Sequence, residues 1–382
     1  MKHKKAYQYP WRYNNTFKVL VDGNEYFTEM LNEITNAKEH VLLEQYLFES
    51  GNTADQFITE LCLAEERGVR VYVLLDDYGS AGLSDDDKKK LTSAGVSLHL
   101  YNPASIFHFG KSLKRDHRKL LVVDNYTAFI GGACITDKFT PDIKNKYWHD
   151  VMLKIQGDIV IDLIDSFNDT WKKQKESLQI FQQRNELPEK KTRQKARVLI
   201  SAGSEKNEII RSVIKRIRAS KRQVWLTSPY FISSWKIRRA LRYAAKRGVD
   251  VRLIFPGPYS DHKWITYGIQ RYYQRLLKAN VAVYEFQPRF SHAKIILCDD
   301  WYTIGSSNLD LWNQFLNLDA NIEIYDTDSQ KQILDLFESD FSKSNQILLH
   351  KWNARSFLQH AKEIISGVMI RILRAVSRKF KR

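Results

Sequence analysis

The chain carries one motif twice, and this repeat limits its fold more than any other feature. The spacing H-x-K-x4-D occurs in His117–Asp124 and again in His292–Asp299, each with four apolar residues before the aspartate and a glycine turn soon after it. Side chains alternate along a strand, so the histidine and lysine of each copy project from one face. The apolar run suits a strand buried on both sides, as in a parallel sheet beneath helices. Two copies can therefore bring two imidazoles and two ammonium groups to one site.

The segments around the motif are repeated in the same order. Three further segments of the first half have counterparts in the second: Glu44–Phe48 and Ser228–Ile232, Glu65–Val71 and Ala245–Val251, Ser97–Tyr101 and Val281–Glu285. Strand and helix patterns alternate through both halves, which predicts an α/β sheet with parallel strands at its centre. A polar stretch, Lys172–Lys195, separates the halves, and 382 residues suffice for two domains.

Short sequences beside the motifs make the chain similar to a known family. They are Asp76–Ser80, Trp148–Asp150, Gly305–Asp310, Asn317 and Asn321–Glu323. With the two motifs, they resemble the phospholipase D superfamily, and in particular the short type of bacterial cardiolipin synthase, which lacks N-terminal transmembrane helices. The resemblance implies an α/β fold of two similar phospholipase-D-like α/β/α domains. It also implies that pseudo-two-fold symmetry relates them and that the active site lies at their interface.

The resemblance and the change in composition along the chain predict its boundaries. These are a basic N-terminal arm at 1–16, a first phospholipase-D-like domain at 17–175, a linker at 176–196, a second such domain at 197–350 and a basic amphipathic C-terminal helix at 351–382. In the last segment apolar residues recur every three or four positions, and from Arg355 onward eight basic residues accompany one acidic residue. Such a helix suits an anionic membrane interface. Packing of its apolar stripe on the protein's own core is the alternative.

The resemblance places the catalytic residues in the two motifs. The set is His117, Lys119, Asp124, His292, Lys294 and Asp299. A neutral imidazole can attack phosphorus to give a phosphohistidine, and a second, protonated imidazole can donate to the departing alkoxide. The two ammonium groups would offset charge on the phosphoryl oxygens, so we expect no metal or other cofactor. The resemblance suggests His117 as nucleophile and His292 as acid, although the near symmetry leaves the reverse order open.

Further polar residues are expected to support these groups. The resemblance suggests that Asp150 orients His117 and that Glu323 orients His292. It also suggests Asn308 and Ser306 as ligands of the substrate phosphate, with a turn-capping role as the alternative for Ser306. The chain departs from the family at Cys134, where the first half usually has an asparagine.

The motif aspartates are expected to differ in role from the histidines and lysines. Asp124 and Asp299 each follow their histidine by seven positions. Seven is odd, so in a regular strand these carboxylates point away from the imidazoles. Within the catalytic motif we therefore expect both aspartates to fix the turn after the strand.

Composition narrows the class of partner. The net charge of +16 indicates an anionic partner such as nucleic acid, a phosphate ester or an anionic lipid surface. The three cysteines, Cys62, Cys134 and Cys298, are widely separated in apolar contexts, which favours buried thiols over disulfides or a zinc site. We find no signal peptide pattern and no apolar run long enough to span a bilayer. The expected location is the cytoplasmic face of the bacterial inner membrane, as a peripheral protein.

The function implied by the resemblance is phosphatidyl transfer. The expected product is cardiolipin, formed on phosphatidylglycerol, and phosphatidylethanolamine is a further candidate donor. A hydrolytic phospholipase D uses the same motifs and differs only in its acceptor. A nuclease of the same fold would also attract a polyanion, but we find no separate nucleic-acid-binding module, so nucleic acid is disfavoured as a partner. Both motifs are complete, which argues against a catalytically inactive scaffold.

Overall fold

The protein forms two mixed sheets with helices on their faces. The computed structural model describes residues 7–103, 114–141, 147–172, 194–202, 206–310, 316–356, 359 and 361–370. Most of the predicted linker at 176–196 therefore lies outside the described residues.

The first sheet contains seven strands in the order β1-β8-β7-β6-β2-β3-β4. They are β1 (Asn15–Val21), β2 (His40–Gln45), β3 (Arg70–Asp76), β4 (Ser97–Tyr101), β6 (Leu120–Val123), β7 (Thr127–Gly131) and β8 (Val151–Gly157), and its helices are α1 (Asp22–Asn36), α2 (Asn52–Glu66), α3 (Asp85–Ser93) and α4 (Val160–Trp171). A short strand, β5 (Arg115–Asp116), leaves this sheet and pairs with a strand of the second one.

The second sheet repeats this order with an extra strand at each end. Its path is β10-β9-β16-β15-β14-β11-β12-β13-β17. The strands are β9 (Lys195–Ala202), β10 (Lys206–Asn207), β11 (Gln223–Thr227), β12 (Asp250–Pro256), β13 (Ala282–Phe286), β14 (Ile295–Cys298), β15 (Trp301–Gly305), β16 (Asn317–Tyr325) and β17 (Ser344–Ile347). The helices are α5 (Glu208–Ala219), α6 (Trp235–Lys246), α7 (Lys263–Gln270), α8 (Tyr273–Leu277), α9 (Thr327–Ser342) and α10 (Leu349–Asn353). The duplication in the sequence is thus a duplication of strand order.

The prediction of parallel strands at the sheet centres is only partly right. Strands β2, β3 and β4 are parallel, as are β11, β12 and β13. The motif strands β6 and β14 are antiparallel to both of their neighbours. Only three residues connect β6 to β7 and two connect β14 to β15, and a parallel connection needs a much longer crossover.

The motif strands are nonetheless buried on both faces, as predicted. Leu120 and Val122 belong to a core cluster shared by the two sheets, and Leu121 belongs to the cluster beneath α1 and α2. In β14, Ile295 faces the shared core and Ile296 faces the cluster beneath α5 and α6. The shared core also contains residues of α4 and α9. Because each large aliphatic side chain buried there stabilises the fold by roughly 1.5–3 kcal/mol, this core joins the two halves strongly.

The first and the last described segments of the chain pack on the second half. Arg12 exchanges two backbone hydrogen bonds with Ala196, and the Arg197 guanidinium lies 3.5 Å from the ring centroid of Tyr7. At the other end, α10 ends at Asn353, and residues 361–370 are helical. The predicted helix at 351–382 is therefore interrupted within the described residues, and 371–382 lie outside them.

The two motif aspartates fix turns, which is the role that their odd spacing predicts. Asp124 has a φ of 52° and accepts hydrogen bonds from the backbone N–H groups of Lys38, Glu39 and His40 at 2.8–3.2 Å. Asp299 has a φ of 51° and accepts from Lys221, Arg222 and Gln223 at 2.8–3.0 Å. Each carboxylate therefore binds the start of the neighbouring strand, β2 or β11. The three cysteines are buried free thiols, as predicted.

We expect Asp124→Gly to lower the free energy of unfolding by about 1–2 kcal/mol relative to Asp124→Asn. Both residues tolerate a positive φ, but only asparagine keeps an acceptor for the three N–H groups. Urea unfolding followed by circular dichroism measures the difference. Equal stability of the two variants would contradict the turn-fixing role.

Candidate active site

At the site, a backbone segment of each half pairs with a segment of the other half. Strand β5, which leads into the first motif, pairs in parallel with β16, and the His117 N–H donates to the Leu318 carbonyl at 2.9 Å. In the other direction, His149 bridges to Ser291, just before the second motif, and the His292 N–H donates to the His149 carbonyl at 2.7 Å. These two backbone connections place both motif histidines where the two halves meet.

His117 is held by a carboxylate of the second half. Its Nδ1 lies 3.0 Å from Asp319 Oδ1, and a carboxylate can only accept, so Nδ1 carries the proton and Nε2 keeps its lone pair. The Ser306 hydroxyl also donates to Asp319 Oδ1, at 2.8 Å. Burial, reinforced by the nearby Lys119 ammonium, lowers the pKa of His117 to about 4 despite Asp319. The imidazole is therefore neutral near pH 7.

His292 is held by a carboxylate of the first half. Its Nδ1 lies 2.6 Å from Asp150 Oδ2. Burial, together with the Lys294 ammonium, lowers the pKa of His292, while Asp150 opposes that shift. Burial alone would raise the pKa of Asp150, but Lys294 and His292 outweigh it and hold that pKa below its usual range. The pair is thus an ionised carboxylate that accepts from a neutral imidazole.

The two motif lysines lie beside their own histidines. Lys119 Nζ donates to the His117 carbonyl at 2.5 Å and lies 4.9 Å from the ring centroid of Tyr46. Lys294 Nζ donates to the His292 carbonyl at 2.6 Å and lies 3.3 Å from His292 Nε2. Burial lowers the pKa of both ammonium groups, to about 8 for Lys294. Two buried cations beside two neutral imidazoles make a site that favours an anionic ligand.

The two imidazoles meet different aromatic neighbours. The His117 ring packs edge-on against Tyr46, with 5.0 Å between ring centroids. The His292 ring has four aromatic rings within 6.3 Å between centroids, namely Phe139, Trp148, Tyr230 and Phe290. The second motif therefore lies in the more apolar part of the site. Within the described ranges, no three His, Cys, Asp or Glu side chains converge so as to hold a metal ion.

The predicted partners of the two histidines are wrong. The resemblance predicts Asp150 for His117 and Glu323 for His292, but Asp150 binds His292 and Asp319 binds His117. Glu323 instead accepts from Arg197, from the Ser212 hydroxyl at 2.6 Å and from the Trp301 indole N–H at 3.0 Å.

Strand geometry explains the error at Glu323. Asp319 and Glu323 project from the same face of β16, but four residues, or about 13 Å, separate them along the strand. Gly131 lies opposite Met152, and Gly305 lies opposite Asn321, so Asp150 and Asp319 occupy equivalent positions. The sequence contains a signal for this equivalence, because Asp150–Ile155 aligns with Asp319–Ile324.

The two residues predicted to bind phosphate differ in their surroundings. Asn308 is buried, and its Oδ1 has no hydrogen-bond partner in the part of the chain that the structure describes, which leaves a polar group for a ligand. The one hydroxyl proton of Ser306 already goes to Asp319, so Ser306 supports the histidine's partner and is unsuited to donate to phosphate. Cys134, at the position corresponding to Asn308, is buried.

A charged cluster next to the site joins the two halves. His149 Nδ1 lies 2.8 Å from Asp22 Oδ1, and its Nε2 lies 3.2 Å from Asp340 Oδ2. Asp22 also pairs with Arg289. Burial alone would lower the pKa of His149, but the two carboxylates outweigh it and raise the pKa to about 9. His149 is therefore an imidazolium at neutral pH. It precedes Asp150 in the chain, so it helps to fix the carboxylate that binds His292.

Comparisons with known proteins identify the family. The family model described as "Cardiolipin synthase, PLD-like domain" matches residues 30–171 and 213–341. The chain belongs to this family. Cardiolipin synthase B of Shigella flexneri is 31% identical over 369 residues, which span 92% of this chain and 89% of that protein. A cardiolipin synthase of Geobacillus kaustophilus is 31% identical over 374 residues, or 96% of this chain and 74% of that protein.

A solved structure supports the same fold. The crystal structure of phosphatidylserine synthase from Haemophilus influenzae Rd KW20 matches with a TM-score of 0.72 and 15% identity, and it covers 95% of this chain and 94% of that one. The superfamily and the α/β fold class predicted from the sequence are thus confirmed. The pseudo-two-fold axis and the exact domain boundaries stay predictions.

We expect the stability gained from His149 to depend on pH. Its folded pKa of about 9 lies above the ordinary value of 6.5, so its contribution is complete below pH 6.5 and is lost as the pH rises through 9. Urea unfolding of the wild type and of His149→Gln at several pH values measures it. The wild type should be more stable by on the order of 3 kcal/mol at acidic pH, and this difference should shrink in alkali. A difference independent of pH would contradict the charged state.

Proposed function

We propose that this protein is a cardiolipin synthase, which transfers a phosphatidyl group to phosphatidylglycerol. The observation that carries the proposal is the pair of crossed histidine–carboxylate contacts, His117 with Asp319 and His292 with Asp150, flanked by two buried lysines. Phosphodiester exchange needs a nucleophile, a proton carrier and cations near the phosphoryl oxygens, and this site supplies all three. The family to which the chain belongs supports the choice of product.

His117 acts as the nucleophile in this proposal. The His117 Nδ1–H group donates a hydrogen bond to Asp319, and this contact directs the Nε2 lone pair at phosphorus. The low pKa of His117 keeps that lone pair available for attack. Attack forms a P–N bond and breaks the P–O bond to the headgroup alcohol of the donor lipid. His292 supplies the proton that the departing alkoxide takes up. Glycerol leaves if the donor is phosphatidylglycerol, and ethanolamine leaves if it is phosphatidylethanolamine.

The second step reverses the first with a different alcohol. His292, now without that proton, accepts one from a hydroxyl of phosphatidylglycerol, whose oxygen attacks phosphorus and displaces His117. The phosphodiester itself supplies negative charge beside His292, which raises the pKa of the bound imidazole and favours its protonated form at the start of the cycle. Lys119 and Lys294 stabilise the charge on the phosphoryl oxygens, and the Asn308 amide holds one of them.

The site of action is the surface of an anionic phospholipid membrane. Both substrates of the proposed reaction are lipids, and a net charge of +16 attracts an anionic leaflet. None of the helices in the described part of the chain combines the length and the hydropathy needed to span a bilayer. We place the protein on the cytoplasmic face of the bacterial inner membrane as a peripheral enzyme.

Replacement of either motif histidine is expected to abolish cardiolipin formation. Purified protein would be incubated with phosphatidylglycerol vesicles, with and without phosphatidylethanolamine, and the lipids separated by mass. His117→Ala and His292→Ala should each lower the rate by roughly 10²- to 10⁴-fold or more, because 10²- to 10⁴-fold is the contribution of one acid–base group. His350→Ala, which replaces an exposed histidine, is the matched control and should leave the rate unchanged. A donor labelled in its phosphatidyl group should label the wild-type chain covalently and leave His117→Ala unlabelled.

Two other outcomes would overturn the proposal. Phosphatidic acid as the sole product would identify a hydrolytic phospholipase D, whose site admits water to the covalent intermediate. Cleavage of a labelled oligonucleotide without any lipid product would identify a nuclease of the same fold.

We expect Asp150→Asn and Asp319→Asn each to lower turnover by roughly 10- to 10⁴-fold, because an amide can hold the wrong imidazole tautomer. Glu323→Gln is the matched control and should lower the melting temperature while leaving turnover close to that of the wild type. Lipid product per folded enzyme measures turnover. If turnover were to fall with Glu323→Gln and persist with Asp319→Asn, the partners described above would be wrong.

A further inference from the structure

The exposed side of helix α6 carries aromatic and basic residues together. Trp235 and Tyr243 are 55% and 53% exposed, which is unusual for rings of this size. The Arg239 guanidinium lies between them, 5.7 Å from the Trp235 ring centroid and 5.2 Å from that of Tyr243. Aromatic residues with a polar edge are favoured where an apolar phase meets water.

A basic pocket lies between α6 and α8. Its volume is about 350 Å³. It is lined by Arg242, Tyr243, Lys246, Arg275, Lys278 and Ala279. Four of these six residues are cationic and none is acidic. In the described part of the chain, none of the four cations forms an ion pair with a carboxylate. The pocket therefore suits a compact anionic group such as a phosphate.

The positive charge continues from the pocket to the C-terminal helix at 361–370. The Arg238 and Arg271 guanidinium groups lie 4.1 Å and 5.4 Å from the ring centroid of Tyr272, and Arg242 Nε donates to the Arg238 carbonyl at 3.4 Å, so these basic residues lie close together. Arg271 packs against Gly367 in the C-terminal helix, where an added Cβ would lie 2.5 Å from Arg271 Nη1. The pocket and the helix are thus parts of one continuous surface.

The C-terminal helix presents an apolar face to solvent. Ile364, Ile365, Val368 and Met369 are 67%, 60%, 47% and 45% exposed. The other exposed large aliphatic side chains in the described residues are Leu63 and Leu348, at 40% and 38%, so this helix concentrates exposed aliphatic surface. Such a patch beside a basic surface is typical of a membrane-binding helix.

The same helix lies close to the active site. Its buried residue Ile370 packs on Ile232. Ile232 follows Tyr230 by two positions, and the Tyr230 ring lies 6.3 Å from that of His292 between centroids. A lipid surface bound at this helix would therefore lie near the active site, on the side of Tyr230.

We propose that these elements form a docking surface for an anionic phospholipid bilayer. The docking surface consists of Trp235, Arg239 and Tyr243, the cationic residues of the pocket, and the four exposed aliphatic residues of the C-terminal helix. The pocket takes the phosphate of a lipid headgroup, the aliphatic residues enter the interface, and the active site is held near the leaflet. This inference rests on the proposed function in one respect, that the substrates are membrane lipids.

The chemistry of the surface favours a membrane over nucleic acid. Basic residues attract both an anionic membrane and nucleic acid. Exposed isoleucine, valine and methionine side chains, in contrast, are stabilised by transfer into an apolar phase, which only the membrane offers. Beyond residue 370 the sequence adds six basic residues and no acidic one, which matches an anionic leaflet.

Flotation with lipid vesicles tests the docking surface. All proteins would carry His117→Ala, so that lipid is not consumed and binding is measured whether or not the wild type makes cardiolipin. Vesicles would contain phosphatidylcholine alone or with phosphatidylglycerol. The double variant Arg242→Gln/Lys246→Gln should need roughly 10- to 30-fold more anionic lipid for half-maximal binding. Lys89→Gln/Lys90→Gln on α3 removes the same charge from the first half and should bind as its parent does.

A second variant separates charge from apolar insertion. Ile364→Ser/Ile365→Ser changes two exposed side chains, so we expect little effect on folding. This variant should bind vesicles more weakly than its parent and should keep the preference for phosphatidylglycerol. Equal losses in the α6 variant and the α3 control would overturn the docking surface. Loss of binding to a labelled DNA duplex with unchanged vesicle binding would assign the surface to nucleic acid instead. Because flotation does not measure turnover, either result stands apart from the cardiolipin assay.

Discussion

His117 bonds to Asp319, and His292 bonds to Asp150, so the carboxylate that fixes each imidazole comes from the opposite half of the chain. The backbone follows the same exchange, because β5 joins the second sheet and His149 bridges to Ser291. The shared apolar core between the sheets holds this arrangement rigidly. The tautomers of both imidazoles depend on it, and so does the burial that lowers their pKa values against the opposing effect of the carboxylates.

The two halves share a strand order, yet their sites differ in detail. Asp319 accepts a hydrogen bond from the Ser306 hydroxyl, and the position in the first half that is equivalent to Ser306 is Gly132. A side chain there would meet Asp150 Oδ2 at 2.5 Å and Lys294 Nζ at 2.8 Å. The glycine therefore lets the ammonium approach Asp150, whereas the serine supplies a neutral donor to Asp319. This difference, together with the aromatic rings around His292, distinguishes the two histidines electrostatically.

Much of the site follows from the sequence. The duplicated motif predicts that two imidazoles and two ammonium groups meet, and the odd spacing predicts the turn-fixing role of Asp124 and Asp299. The partners of the histidines do not follow, because strand alternation gives the face of a residue and not its distance along the strand. Strand alternation alone therefore does not distinguish Asp319 from Glu323, which lie on the same face of β16. The antiparallel pairing of the motif strands does not follow from the sequence pattern either, because a buried apolar run is compatible with parallel and with antiparallel neighbours.

The crossed carboxylates also determine when the protein can first act during its own synthesis. His117 leaves the ribosome 202 residues before Asp319, and His292 depends on an aspartate made 142 residues earlier. An emerging first half therefore has an imidazole and an ammonium group without the carboxylate that fixes the tautomer. No nascent chain that ends before Asp319 holds both histidine–carboxylate pairs. Incomplete copies of the enzyme therefore lack the pair of oriented imidazoles on which the chemistry of the site depends.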